Sequence, residues 1–192
     1  MTSTVLDDWS SRHTGNGRII RKMMRTLSLY ETGDSNGAVS LLDLKNGKFT
    51  PAMSKKGIND YAYYVCRGGW PVAIGKNRDI TTFGLLFESL VVHDLRVYAD
   101  TIGARVYKYR DSKRREADAV IQFNDGSWAL IEVKLGGEDD IRTASENLIK
   151  IADDIDWDKT GKPAFLMVVT KNKVAYRMDN GVYVVLLCCL KN

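Results

Sequence analysis

Glu116-Ala-Asp-Ala-Val-Ile-Gln-Phe-Asn-Asp-Gly-Ser-Trp-Ala-Leu-Ile-Glu-Val-Lys-Leu-Gly136 reads as two strands joined by a turn. Ala117, Ala119, Ile121 and Phe123 alternate with Asp118, Val120 and Gln122. After the turn, Ala129, Ile131 and Val133 alternate with Leu130, Glu132 and Lys134. Period-two alternation of this length favours strand over helix. Asn124-Asp125-Gly126 carries strong turn chemistry, because Gly126 can take the positive φ that closes a three-residue loop with a bulge. With that loop Phe123 faces Ser127, and counting back sets Asp118 opposite Glu132, with Lys134 two residues further on the same face. A two-residue loop of Asp125 and Gly126 would set Ala119 opposite Glu132 instead, and a one-residue slip sends the carboxylates to opposite faces. The turn chemistry leans to the first register without deciding it. Like charges directly opposed on a sheet face destabilise it by up to about 1 kcal/mol. A chain that opposes them, and sets a lysine beside them, points to a bound divalent cation.

The chain has 192 residues and a net charge of +4, the length of one ordinary domain or of a domain with an appendage. Its apolar and charged fractions are those of a soluble globular protein. No run of about 18 apolar residues predicts a membrane span, and the first residues lack the pattern of a secretory signal. Cys188 and Cys189 are adjacent and Cys66 stands alone, which forms neither a disulfide framework nor a zinc-ligand spacing and suggests a reducing, cytoplasmic setting. Charge is uneven. Residues 1–80 carry twelve Lys or Arg against seven Asp or Glu, while residues 81–192 carry sixteen against seventeen. Arg12, Arg18, Arg21, Lys22 and Arg25 cluster in the first part; such a cluster can meet phosphates or simply form a solvated face.

Along the chain, a basic stretch around Ile19 to Leu29 is compatible with helix, and Glu31 to Gly37 is a loop by composition. Ala38 to Leu44 is short and apolar, Lys45 to Lys56 loop-like and Ile58 to Cys66 helical, before Arg67-Gly68-Gly69-Trp70-Pro71 breaks the chain. Little before residue 80 promises a core of its own. Phe83, Leu86, Phe87, Leu90, Val91, Leu95, Tyr98 and Ile102 then recur at helical spacing, with Gly103 as a stop. Arg105 to Arg110 is a first strand, followed by a basic turn and the two strands above. Ile141, Ala144, Leu148, Ile151 and Ile155 predict a second helix, whose first turn suits Glu138, Asp139 and Asp140. Ala164 to Thr170 is apolar throughout, as in a strand buried on both faces. Val174 to Arg177 and Val182 to Leu187 close a hairpin around Asn180-Gly181. Helix, three strands, helix, strand and hairpin make an α/β core of about 110 residues.

Asp118, Glu132 and Lys134 are the main chemical constellation. Two carboxylates on adjacent strands suit Mg²⁺, which takes a few protein oxygens and keeps several waters. A lysine on the same face can orient a metal-bound water or neutralise charge on a phosphate. A plain Glu132–Lys134 surface pair fits the spacing as well. Glu88 interrupts the apolar helix and either joins the same site or is a boundary residue beside the buried stripe. Arg110, Lys113, Arg114 and Arg115 overhang the hairpin's open end, where phosphate contacts or a solvated turn are equally consistent. His13 and His93 offer no metal pairing, and no phosphate-binding loop for ATP occurs.

Asp118 followed by Glu132-Val133-Lys134, with Glu88 on the preceding helix, resembles the PD-(D/E)xK nuclease superfamily, although Ala117 stands where a proline is usual. More narrowly, the stretch from Phe83-Gly-Leu-Leu-Phe-Glu to Val97-Tyr98, with Tyr109-Arg-Asp, Glu116-Ala-Asp and Trp128-Ala-Leu-Ile-Glu-Val-Lys-Leu-Gly, resembles an uncharacterised domain. That domain lies at the C-terminus of many prokaryotic AAA-type ATPases, and the likeness covers residues 81–190. Ser11 to Arg18 through Leu27 to Gly33 is similar to the end of the same proteins' ATPase core, where Arg12 would face a neighbouring subunit's nucleotide, and Cys66-Arg-Gly-Gly-Trp-Pro resembles the segment that follows it. The P-loop part and a helical middle segment are missing, so residues 1–80 resemble a remnant and no intact ATPase is expected. The resemblance implies a restriction-endonuclease-like core over residues 81–192, with a small N-terminal appendage. It implies Mg²⁺ or Mn²⁺ on Asp118 and Glu132, Lys134 handling water and phosphate, and Glu88 in support or holding a second ion. DNA is a better expected partner than RNA, no membrane is involved, and a homo-oligomer is compatible. The rival expectation is a non-catalytic module that docks DNA or protein.

Overall fold

A computed structural model describes residues 25–67 and 80–192. Arg12, the other basic residues before Arg25 and the Gly68-Gly69-Trp70-Pro71 break lie outside the described residues. In chain order the elements are β1 (Val39–Ser40), α1 (Leu41–Lys45), β2 (Ala52–Met53), α2 (Ile58–Arg67), α3 (Ile80–Thr101), β3 (Arg105–Arg110), β4 (Glu116–Gln122) and β5 (Trp128–Lys134). They continue with α4 (Glu138–Asp154), α5 (Trp157–Thr160), β6 (Phe165–Thr170), β7 (Val174–Arg177), β8 (Tyr183–Leu186) and β9 (Leu190–Lys191). From α3 onward this is the helix, strand and hairpin order that the periodicity predicts.

Seven strands form one mixed sheet in the order β2-β7-β8-β6-β5-β4-β3. The β5–β6 and β6–β8 pairs are parallel and the others antiparallel. The alternation of β5 sorts its side chains between two cores. Ala129, Ile131 and Val133 join Phe87, Val91 and Leu95 of α3 on one face. Trp128 and Leu130 join Ile141, Leu148 and Ile151 of α4 on the other. With helices covering both faces, β5 and β6 are nearly continuous in burial, as the apolar run in β6 requires.

The N-terminal segment shares the first of these cores. Leu29, Val39, Leu41, Leu44, Tyr61 and Tyr64 are buried with α3 and the C-terminal strands, and β1 pairs in parallel with β9. Full burial of Leu41 and Leu44 contributes about 3–6 kcal/mol together, comparable with the whole net stability of a small domain. The core therefore does not divide at residue 80. The helix expected around Ile19 to Leu29 does not reach its last residues: Arg25 to Ser28 are irregular and Leu29 to Gly33 are turns. Tertiary bonds displace it. Asp94 of α3, 1% exposed, accepts the Leu29 N–H at 2.9 Å, and Glu31 accepts both the Ser28 N–H and its hydroxyl. Such local side-chain bonds compete with helix. Among the described residues no helix is long and apolar enough to cross a membrane. Cys188 and Cys189 are free and buried.

Candidate functional site

The β4–β5 turn decides where the carboxylates fall. Phe123 N–H donates to Ser127 O at 2.8 Å and Gly126 N–H to Phe123 O at 3.0 Å. Gly126 takes φ +85°, the left-handed conformation a three-residue loop asks of glycine. Pairing runs from Gln122↔Trp128 to Ala119↔Ile131, the three-residue-loop register. The next step would set Asp118 against Glu132. There the ladder stops, and the Asp118 carboxylate accepts the Val133 N–H at 2.7 Å, the donor that regular pairing would give to Ala117.

A bulge explains the change. On the other side of β4, Tyr107 pairs with Val120 but Tyr109 pairs with Ala117. Lys108 of β3 thus opposes two residues, Asp118 and Ala119. The extra residue reverses the alternation: Ala119 lies in the α3-side core and Ala117 in the α4-side core. Bulges commonly re-aim a side chain in this way, and this one turns Asp118 along the sheet toward the end of β5.

Glu132 is 9% exposed and pairs through Oε1 with Lys134 Nζ at 2.9 Å. Its second oxygen, Oε2, is buried with no hydrogen-bond partner. Burial first, and then repulsion from Asp118, pushes the Glu132 carboxyl above its ordinary range. Glu88, half-buried on α3, is raised for the same two reasons in the same order. Burial alone would lower Lys134, but the Glu132 carboxylate, backed by Asp118 and Asp140, outweighs it and holds the ammonium above its usual value. The fold therefore brings Asp118, Glu132, Lys134 and Glu88 into one electrostatic neighbourhood, fed by two strands and α3.

The fit to a divalent cation rests on the orphaned oxygen. A desolvated carboxylate oxygen without a donor is costly, and a hard cation is the partner such an oxygen takes. Among the described residues no three His, Cys, Asp or Glu side chains form a ready metal cage. A cation there would draw on Glu132 and Asp118, a sparse protein set of the kind Mg²⁺ accepts.

The basic turn is placed differently from a free phosphate clamp. Lys113 pairs with Asp154 of α4 at 2.6 Å. Arg115 bonds Asp111 at 2.7 Å and Asp154 at 2.5 Å and donates to Lys150 O. These two cations tie the turn to α4. Arg110 is more open and lies 3.2 Å from Glu116, while Arg114 is exposed with φ +63°. Sequence reasoning missed Lys108 and Glu116, whose charges reach Glu88; Lys108 shares the face of Val106 by plain alternation, whereas Glu116 lies beyond the bulge, which nothing in Ala-Asp-Ala announces. It also missed the buried Asp94, whose carboxylate accepts from His93 Nδ1 at 2.9 Å, while His93 Nε2 bonds the Thr26 hydroxyl at 2.6 Å.

Together these features define a mixed α/β protein whose polar site lies where two central strands part. A family model described as Domain of unknown function (DUF4143) matches residues 83–190. The match covers more than half of the chain, and the chain belongs to this family, which is commonly found with AAA ATPases. Comparison with curated proteins and with solved structures found no match.

Proposed function

We propose that the domain is a metal-dependent, nuclease-like module of the restriction-endonuclease type, which binds DNA and hydrolyses its phosphodiester bonds with Mg²⁺ or Mn²⁺. The observation that carries this reading is the orphaned Glu132 Oε2 beside Asp118 and Lys134. Asp118 and Glu132 are the residues that would hold the cation. When bound, such an ion polarises a phosphoryl oxygen and makes a coordinated water a better nucleophile. Lys134 is kept protonated by its acid neighbours, so its work is electrostatic. It offers N–H donors to a phosphate oxygen as negative charge builds there, and takes no proton from the water. Glu88 adds a second desolvated carboxylate at the same end of the sheet and can accept a proton more readily than an exposed glutamate.

Nicking of supercoiled plasmid with Mn²⁺ tests this, comparing wild type with Asp118→Ala and Lys134→Ala. Cleavage that disappears in both variants, with circular dichroism unchanged, is the expected result. Cleavage that survives in both refutes the assigned site.

The rival reading is a non-catalytic docking module. It is favoured by the direct Lys134–Glu132 pair, which closes the site without a third acid ligand. No cleavage by wild type, together with a gel shift that needs no metal, selects it.

A further inference from the structure

The seven-stranded sheet ends at β3, so one side of this six-residue strand has no strand partner among the described residues. Its sequence, Arg105-Val-Tyr-Lys-Tyr-Arg110, interleaves three cations with two tyrosines and contains no acid. Arg105 is exposed, and the Lys108 and Arg110 side chains are 61% and 65% exposed. One carboxylate, Glu116, lies 3.6 Å from Lys108 and 3.2 Å from Arg110, so the strip keeps a surplus of positive charge after pairing. Cations alone on an edge strand have a simpler use, since they discourage pairing with other chains. Tyr107 breaks that account. It is 46% exposed, a large aromatic on the very edge that protection would keep polar.

We propose that the outer edge of β3 is a track for single-stranded nucleic acid. Side chains alternate along β3, so Arg105 and Tyr107 stand on the face of the α4-side core and Lys108 and Arg110 on the face of the α3-side core. The nucleic acid runs along the rim between them, with Tyr107 stacking on a base and the cations taking backbone phosphates from either side. A positive groove with an aromatic platform is the physical basis of single-strand binding, because every unpaired base has a free face. A duplex hides those faces, and the phosphate contacts alone would not distinguish the two forms. The track ends at the candidate site: Lys108 opposes Asp118 and Ala119 at the bulge. Delivery of the strand to that site rests on the nuclease-like reading above; binding to the edge does not.

The test uses the full chain in EDTA, so that cleavage cannot intervene. Fluorescence anisotropy follows a labelled oligodeoxythymidylate and, separately, its duplex with oligodeoxyadenylate. The single strand should bind about tenfold tighter or more, and Tyr107→Ala should weaken it by about tenfold while leaving the duplex unchanged. Tyr107→Phe, which keeps the ring, should bind as wild type, which separates stacking from misfolding. Arg105→Ala should lower the slope of log affinity against log salt by about 0.7. Equal or tighter binding of the duplex overturns the proposal, as does a Tyr107→Ala variant that binds the single strand unchanged. Single-strand binding that persists in a wild type showing no metal-dependent nicking sinks the catalytic reading and leaves the track standing.

Discussion

Replacing Glu132 with Gln removes a charge and almost no volume from the place where carboxylates crowd. Glu132 is buried and its Oε2 is unpartnered. A buried polar atom left in that state costs about 1–3 kcal/mol, and repulsion from Asp118 and Glu88 acts in the same direction. Against this stands the ion pair with Lys134, whose side chain is 36% exposed; a pair screened by solvent to that degree contributes about 0–1 kcal/mol. A neutral amide in the same place can also donate to a neighbouring carboxylate. Glu132→Gln should therefore be more stable than wild type by about 1 kcal/mol without metal at neutral pH, a rise of about 2–4 °C in Tm for a chain of this length. Metal should invert the order of response. At ten times its dissociation constant, Mg²⁺ or Mn²⁺ should stabilise wild type by about 1.4 kcal/mol and the variant not at all. Differential scanning calorimetry with and without metal, at constant ionic strength, measures both effects. A metal-free variant less stable than wild type by about 1 kcal/mol or more refutes the reasoning, because the lysine would then satisfy the carboxylate fully.

The same crowding sets a pH dependence. Glu132 and Glu88 have folded-state values above their ordinary 4.5, so the folded chain binds their protons more readily than the unfolded chain. Metal-free stability should decline as pH rises from that ordinary range through the raised values, and Glu132→Gln should flatten the decline in a Tm-against-pH series. Gly136→Ala should cost about 1–3 kcal/mol in urea unfolding, since Gly136 takes φ +105° and a Cβ there overlaps Asn172. Adding Asn172→Ala should restore only part of the loss, because it clears the overlap and leaves the backbone strain. Asp94→Ala should cost about 2–4 kcal/mol by stranding the buried Leu29 N–H and removing one partner each from His93 and the Tyr98 hydroxyl. Fast amide exchange at Leu29 should accompany that loss, and protected exchange there would contradict the assigned anchor.

What could be read from the sequence was local. Asn124-Asp125-Gly126 sets a loop length through one glycine, and the loop length sets the register that sends Asp118 toward Glu132. The apolar spacing of α3 and the unbroken apolar run of β6 depend only on residues a few positions apart. What was hidden depends on partners distant in the chain. Leu29, Leu41 and Leu44 are too sparse to show a period, and their place in the core comes from Asp94 and from β9. The charges of Lys113 and Arg115 are plain in the sequence, but Asp154, which occupies both, is about four turns into another element. The bulge at Asp118 and Ala119 is created by pairing with β3 and has no composition of its own.

The hidden features and the candidate site coincide for a physical reason. Regular pairing beyond Ala119↔Ile131 would satisfy Val133 with a backbone carbonyl and align two carboxylates face to face. The bulge gives the Val133 N–H to Asp118 instead, which occupies one oxygen of that acid, and Glu132 Oε2 stands unmatched. A sheet built only for stability would close the ladder and place an apolar side chain at Glu132, where Val168 and the α4-side core adjoin. Local rules are followed through the rest of this hairpin and broken at one strand end, and such departures gather at functional sites. The unmatched oxygen and the re-aimed aspartate stand together there, and one bound cation would satisfy both while the protonated lysine stays free to meet an anionic oxygen beside it.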